Sequence, residues 1–355
     1  MASDPHEHHK PQGWTRVLWN REEGRLPAGW RILLLLMATL GTQIAVYVHL
    51  SRSLGWSAGV TRTVYLLAAF AVLLLAIRWL DRRSPASLGL AWRDRFERSF
   101  GRDLGLGLAL GLGAVSLVFL GLWALGWLEI RGITLSGPAL LAPLAGALGL
   151  FALTGLYEET LCRGYLLRNV AEGLHGRHLG ARGALVAGWI VSSLLFGLMH
   201  AGNPNAGWLG LVNVVLLGAV FALPYLVTGS LAVPIGLHIA WNFACGPLFG
   251  LPVSGTVPAH SLLAVEVHGP TLWTGTAFGP EAGLLVTLAA LLLAVALLPI
   301  LRRRAGSLVF RKELAKPPTR PAPLTRREPG ARESRAPRRP PASLPEPANP
   351  ARPAR

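Results

Sequence analysis

The chain has 355 residues, 52% of them hydrophobic and only 15% charged, with a formal net charge of +16. Soluble domains carry about 25% charged residues, so this balance excludes an ordinary soluble protein and reads as a polytopic membrane protein with its charge held in loops and tails. The positive-inside rule and a basic tail account for the arginine excess; no aromatic-rich basic fold accompanies it, which argues against nucleic acid as a partner.

Residues 1–30 are polar, carry no cleavable signal pattern and are expected to be cytoplasmic. Residues 31–137 hold the first transmembrane helices, with predicted spans at 31–50, 63–80 and 104–127. The third is dense in glycine at short spacing, which suits close helix packing in lipid. A fourth span begins at about 139 and leads into Glu158. Further spans are expected at 184–202, 207–227, 230–250 and 282–301, each near the roughly 20 residues needed to cross about 30 Å. A polar loop, 251–281, separates the last two. From Arg302 to Arg355 the chain is rich in Arg, Pro and Ala and poor in large apolar residues, so a disordered tail is expected. The predicted fold is all-α: a transmembrane bundle of about eight spans, with the functional core at 138–250.

Arginine placement orients it. With the N-terminus inside, the basic stretches 78–103 and 163–182 and the tail are all cytoplasmic. Loops 128–138, 201–208 and 251–281 are poor in Lys and Arg and fall outside. The expected location is therefore the inner membrane, multi-pass, with both termini cytoplasmic. The Ala-, Arg-, Gly- and Pro-heavy composition suggests a GC-rich bacterial genome.

Cys162 and Cys245 form no CxxC pair and lie in apolar stretches, where they read as small packing residues. Three strings carry chemistry: Glu158-Glu159-Thr160-Leu161-Cys162-Arg163, Phe196-Gly197-Leu198-Met199-His200, and His238-Ile239-Ala240-Trp241-Asn242. Ionisable groups at a helix centre in hydrocarbon cost roughly 2.5–3.5 kcal/mol each on insertion scales, so groups kept there mark function. Helical residues four apart share a face, while neighbours diverge by about 100°. Glu159 and Arg163 can therefore pair and brace the helix. Glu158 points elsewhere and suits a general base. His200 closes an apolar run with Phe196 one turn before it, and His238 and Asn242 share a face. Asn213, Ser192 and Ser193 read as helix-packing residues, and Asn203-Pro204-Asn205 as a turn.

Together these side chains suit water-mediated peptide hydrolysis. Glu158 and His200 would activate water, with His238 and Asn242 donating to the oxyanion. Alternatively, Glu158, His200 and His238 would hold zinc and lower the pKa of its bound water. Asn242, a poor zinc ligand but a good donor, favours the first arrangement.

The pattern EExxxR, then FxxxH, then HxxxN resembles that of the CPBP family of intramembrane proteases, named for CAAX prenyl endopeptidases and bacteriocin-processing (Abi-type) enzymes. Glu158, Glu159 and Arg163, Phe196 and His200, and His238 and Asn242 match its positions. The resemblance extends over roughly 139–250 and takes in Gly164-Tyr165-Leu166 and Pro234-Ile235-Gly236-Leu237. It implies a membrane-embedded endopeptidase, glutamate- or metal-dependent, acting on a peptide or membrane-protein substrate near the cytoplasmic leaflet. In the family the first Glu and the middle His are taken to activate water, and the last His and Asn to stabilise the oxyanion. The alternatives are a non-catalytic scaffold or bacteriocin self-immunity protein of the same fold, and a proton-relay transporter, which the lack of an internal repeat disfavours. No HExxH string supports a site-2-type zinc protease.

Depth sets one further expectation. His200 lies about 24 Å along a span that starts near 184. Glu158 can meet it if the fourth helix continues through 158–168 within the bilayer, with 170–183 as the connection, or if the fifth span starts deeper than residue 184; both are expected.

Overall fold

The computed structural model describes residues 18–20, 23–93, 99–134, 137–176, 179–275 and 277–318. Most of the predicted N-terminal segment and the tail beyond residue 318 lie outside the described residues. Helix α1 (Ala28–Val46) runs on through a π-helical stretch, Tyr47–Ser53, and is followed by α2 (Ala58–Trp79) and α3 (Phe100–Ala124). After strand β1 (Leu128–Ile133), α4 (Pro138–Glu159) continues through π-helical Thr160–Leu167 into α5 (Arg168–Leu174). Then come α6 (Ala181–Met199), α7 (Trp208–Thr228), α8 (Ala232–Phe243), strand β2 (Leu263–Val267) and α9 (Leu284–Ala305).

Among the described residues, seven helical stretches are long and apolar enough to cross a membrane. Eight were expected, and the difference lies at 230–250. There α8 has twelve residues, followed by five π-helical residues, Ala244–Leu248. Every residue from Ala232 to Asn242 is buried. The stretch is apolar because protein surrounds it, and hydropathy alone does not distinguish that from a lipid-facing span. The fourth stretch is the reverse case: Pro138–Leu174 forms 37 continuous residues and carries Glu158 inside the bundle, as the depth argument required.

Helix α8 is the axis of the molecule. Helix α3 lies directly on it through glycines: a Cβ on Gly107 would stand 2.3 Å from the Val233 carbonyl oxygen, and one on Gly236 the same distance from that of Leu104. Such backbone contact is the small-residue packing expected of the third span. The opposite end departs from the all-α expectation. Strands β1 and β2 form an antiparallel ribbon, Leu128 opposite Val267, with a bulge between Ile130 and Gly132. It ties the predicted loop 251–281 to the α3–α4 connection. Both strands are short and come from loops far apart in sequence.

The end with the arginine-rich loops is closed by buried ion pairs. Arg25 donates to Glu172 at 2.7 Å and to the Asp81 carbonyl at 2.9 Å. Arg31 pairs with Asp81, Arg83 pairs with Glu172, and Asn169 donates to Asp81 at 2.9 Å. The disordered tail predicted from Arg302 is corrected over its first part. Helix α9 runs to Ala305, and the chain then packs back against this end. The Arg311 amide donates to the Leu226 carbonyl at 2.9 Å, Arg83 donates to the Lys316 carbonyl at 2.8 Å, and Leu314 and Ala315 are buried. A few apolar residues, Phe310 among them against Trp189, anchor a segment whose composition reads as polar.

Candidate active site

Glu158 and Glu159 occupy the last turn of α4, where the helix widens into its π-helical stretch. Single π-helical turns inside α-helices cluster at functional sites. Neighbouring positions diverge around the axis, and the two carboxylates part accordingly. Glu159 is fully buried: its Oε1 accepts from Arg163 Nη1 at 2.9 Å and from His238 Nδ1 at 2.8 Å. Arg163 also donates from Nη2 to the Gly218 carbonyl of α7 at 2.6 Å, and its guanidinium lies 4.7 Å from the centre of the Phe196 ring. The predicted brace therefore exists and does more than neutralise a charge. It joins α4, α7 and α8 and fixes the plane of the His238 ring.

Glu158 makes no such commitment. Its Oε2 is buried without a hydrogen-bond partner and stands 3.6 Å from His238 Nε2. His200 sits at the C-terminal end of α6, with Nδ1 2.8 Å from the Phe196 carbonyl oxygen. The Phe196 ring touches both imidazoles, 4.9 Å from His200 and edge-on at 5.9 Å from His238. Asn242, one turn beyond His238, is buried.

Glu158, His200, His238 and Asn242 all border one cavity of about 460 Å³. Phe196 lines it too, while Glu159 and Arg163 stand behind it. The helices thus gather the four predicted catalytic residues from three distant stretches, and the three supporting residues hold them.

Hydrogen-bond chemistry sets what each ring presents. Carbonyl and carboxylate oxygens only accept. Nδ1 of His200 therefore carries its hydrogen toward Phe196, and the neutral ring offers a lone pair at Nε2. Nδ1 of His238 likewise donates to Glu159, so its Nε2 becomes a donor only in the doubly protonated ring.

Sequence reasoning missed Glu281. It is buried on the cavity wall: Oε1 accepts from the Trp241 indole at 2.9 Å, and Oε2 accepts from the Ser254 amide at 2.6 Å and hydroxyl at 2.7 Å. It pins the 251–283 segment onto α8 beside Asn242. A single acid in a polar loop carries no periodic signal. Arg62, Tyr65 and Tyr157 also line the cavity and were not singled out. Asn213 behaves as the packing residue expected, donating to the carbonyls of Glu281 and Gly283. Ser192 and Ser193 donate to the Trp189 carbonyl of their own helix, and both cysteines are buried free thiols.

For zinc, the test is whether the donors converge. Glu158, His200 and His238 border one cavity, but no three His, Cys, Asp or Glu among the described residues form a group that could hold a metal ion.

Fold and site define a multi-pass helical membrane protein with a cavity of about 460 Å³ whose mixed polar and apolar wall includes a carboxylate, two imidazoles and an amide. Residues 140–244 match the family described as Rce1-like, type II CAAX prenyl endopeptidase Rce1-like. All seven motif residues fall inside that stretch, and the match bears out the resemblance read from them. No curated protein and no solved structure matches the chain.

Proposed function

We propose that this protein is an intramembrane endopeptidase that hydrolyses a peptide bond with water activated by Glu158 and His200. Glu158 takes a proton from the water as its oxygen attacks the scissile carbonyl carbon, and His200 Nε2 accepts the second hydrogen bond from that water. The developing oxyanion takes hydrogen bonds from the Asn242 amide and from protonated His238. Collapse expels the amine, which receives the proton held on Glu158. Glu159 and Arg163 orient His238, and Phe196 spaces the two rings.

One observation carries this reading: Glu158 is half-buried, its Oε2 is buried with no hydrogen-bond partner, and it borders the same cavity as both imidazoles and Asn242. No step is routed through a metal. The protein sits in the cytoplasmic membrane with both termini inside, and its partners are the bilayer and a peptide or membrane-protein substrate. Mass spectrometry of peptides released from candidate membrane substrates tests the proposal. Release by wild type and not by Glu158→Gln is the expected result. Unchanged biological activity in both Glu158→Ala and His200→Ala, at normal expression, would favour a scaffold or self-immunity role.

A further inference from the structure

We infer that the catalytic cavity is served from the extracytoplasmic side, so that its substrates are peptide segments emerging from the outer leaflet. The inference rests on the hydrolase reading for the word substrate; the side of access rests on geometry alone.

The two ends of the bundle differ in charge. At one end the exposed cations include Arg78, Arg82, Arg102, Arg182, Arg302 and Arg303. At the other, Arg52 is exposed, and Arg131 is neutralised by Glu129 and Glu266 on the ribbon. Cationic loops stay in the cytoplasm, so the ribbon end is external.

The cavity belongs to that external half. His200 lies 19 residues beyond Ala181, the first residue of α6 at the basic end. At about 1.5 Å per residue this is about 28 Å, nearly the full hydrocarbon thickness of about 30 Å. Past His200, the cavity wall continues into Asn203, Ser254, Thr256 and Glu281, all in segments at the ribbon end. Thr256 is exposed and gives the cavity a mouth. Leu40 and Gln43 of α1 and Tyr47 of the π-helical stretch that follows also line it and are exposed on the helix surface, which opens a lateral wall toward lipid.

The basic end offers no such path. Glu172 lies 14 residues beyond Glu158 on the same continuous helix, about 21 Å away. Around it Arg25, Arg31, Asp81 and Arg83 are buried in mutual ion pairs, and none of the five lines the cavity. Expectation from the family resemblance placed cleavage near the cytoplasmic leaflet; the position of the cavity argues for the opposite face.

Cysteine accessibility tests this without any need for catalysis, because Cys162 and Cys245 are both buried and give a low background. Thr256→Cys, Ser307→Cys and His200→Cys would each be made in the full chain and probed with a small membrane-impermeant thiol reagent. Right-side-out and inside-out membrane vesicles are compared. Thr256→Cys and His200→Cys are expected to label at least tenfold faster in right-side-out vesicles, and Ser307→Cys at least tenfold faster in inside-out vesicles. Labelling of His200→Cys only from the inside, or from neither side, overturns the inference, as does a reversed pattern for Thr256 and Ser307. Absence of peptide cleavage by the wild-type protein, together with the expected labelling pattern, would sink the hydrolase reading and leave the side of access standing.

Discussion

Glu159 and His238 are joined by a 2.8 Å hydrogen bond between helices 79 positions apart in sequence. The bond gives the second glutamate of the motif a role distinct from the first. Glu159 spends one oxygen on Arg163 and His238 together and stands behind the cavity. Its neighbour Glu158 borders the cavity instead. Two adjacent identical residues thus meet different surroundings because a helix turns them about 100° apart.

Glu158→Gln preserves shape and removes the basic group. General-base catalysis contributes about 10²–10⁴-fold. Cleavage is therefore expected to fall by at least about 10²-fold, with the thermal midpoint in detergent unchanged. Full activity in this variant refutes the base assignment.

Glu159→Ala or Arg163→Ala leaves the other charge buried and unpaired. Breaking such a pair costs about 3–5 kcal/mol, so both variants are expected to express poorly and melt early. Thermal scans of purified protein decide the point, and two normal midpoints would show that the brace carries no stability. Glu159→Gln separates the two duties. It can keep a hydrogen bond to His238 while losing the charge, and is expected to lower kcat more than KM changes.

Gly107→Ala tests the α3–α8 crossing. The added methyl would stand 2.3 Å from the Val233 carbonyl oxygen, so the helices must separate. Overpacking of this kind costs about 1–3 kcal/mol. Because α8 also carries His238 and Asn242, activity is expected to fall with stability. Gly113→Ala, on the same helix with nothing within 4 Å of the new methyl, is the control and is expected to match wild type in both measurements.

The ribbon has its own pH signature. Hydrogen bonding and charge from Arg131 hold the Glu266 carboxyl below its ordinary value of 4.5. A carboxylate lowered in the folded state stabilises that state above its unfolded value, and the contribution is lost as pH falls through the folded value. The pair is fully exposed, so the effect is small and salt-sensitive. Titration of Glu266 by NMR is expected to show a midpoint below 4.5 that returns toward 4.5 in Arg131→Ala. An unshifted Glu266 in the wild type would contradict the pairing.

Sequence alone determined the helical membrane character, seven of the spans, and every motif residue now found at the cavity. These were legible because hydrocarbon enforces long apolar runs, and because a carboxylate, imidazole or amide inside one is costly enough to stand out. Helical spacing likewise paired Glu159 with Arg163 before any coordinates. Only the tertiary structure decided the rest: that α8 is an enclosed core helix, that two loops pair as strands, that residues up to Lys316 dock on the basic end, and that His238 and Glu281 are held by partners far along the chain. Those features depend on what lies next to a residue in space. Hydropathy and periodicity record only what a residue needs, and the same apolar run satisfies that need whether protein or lipid surrounds it.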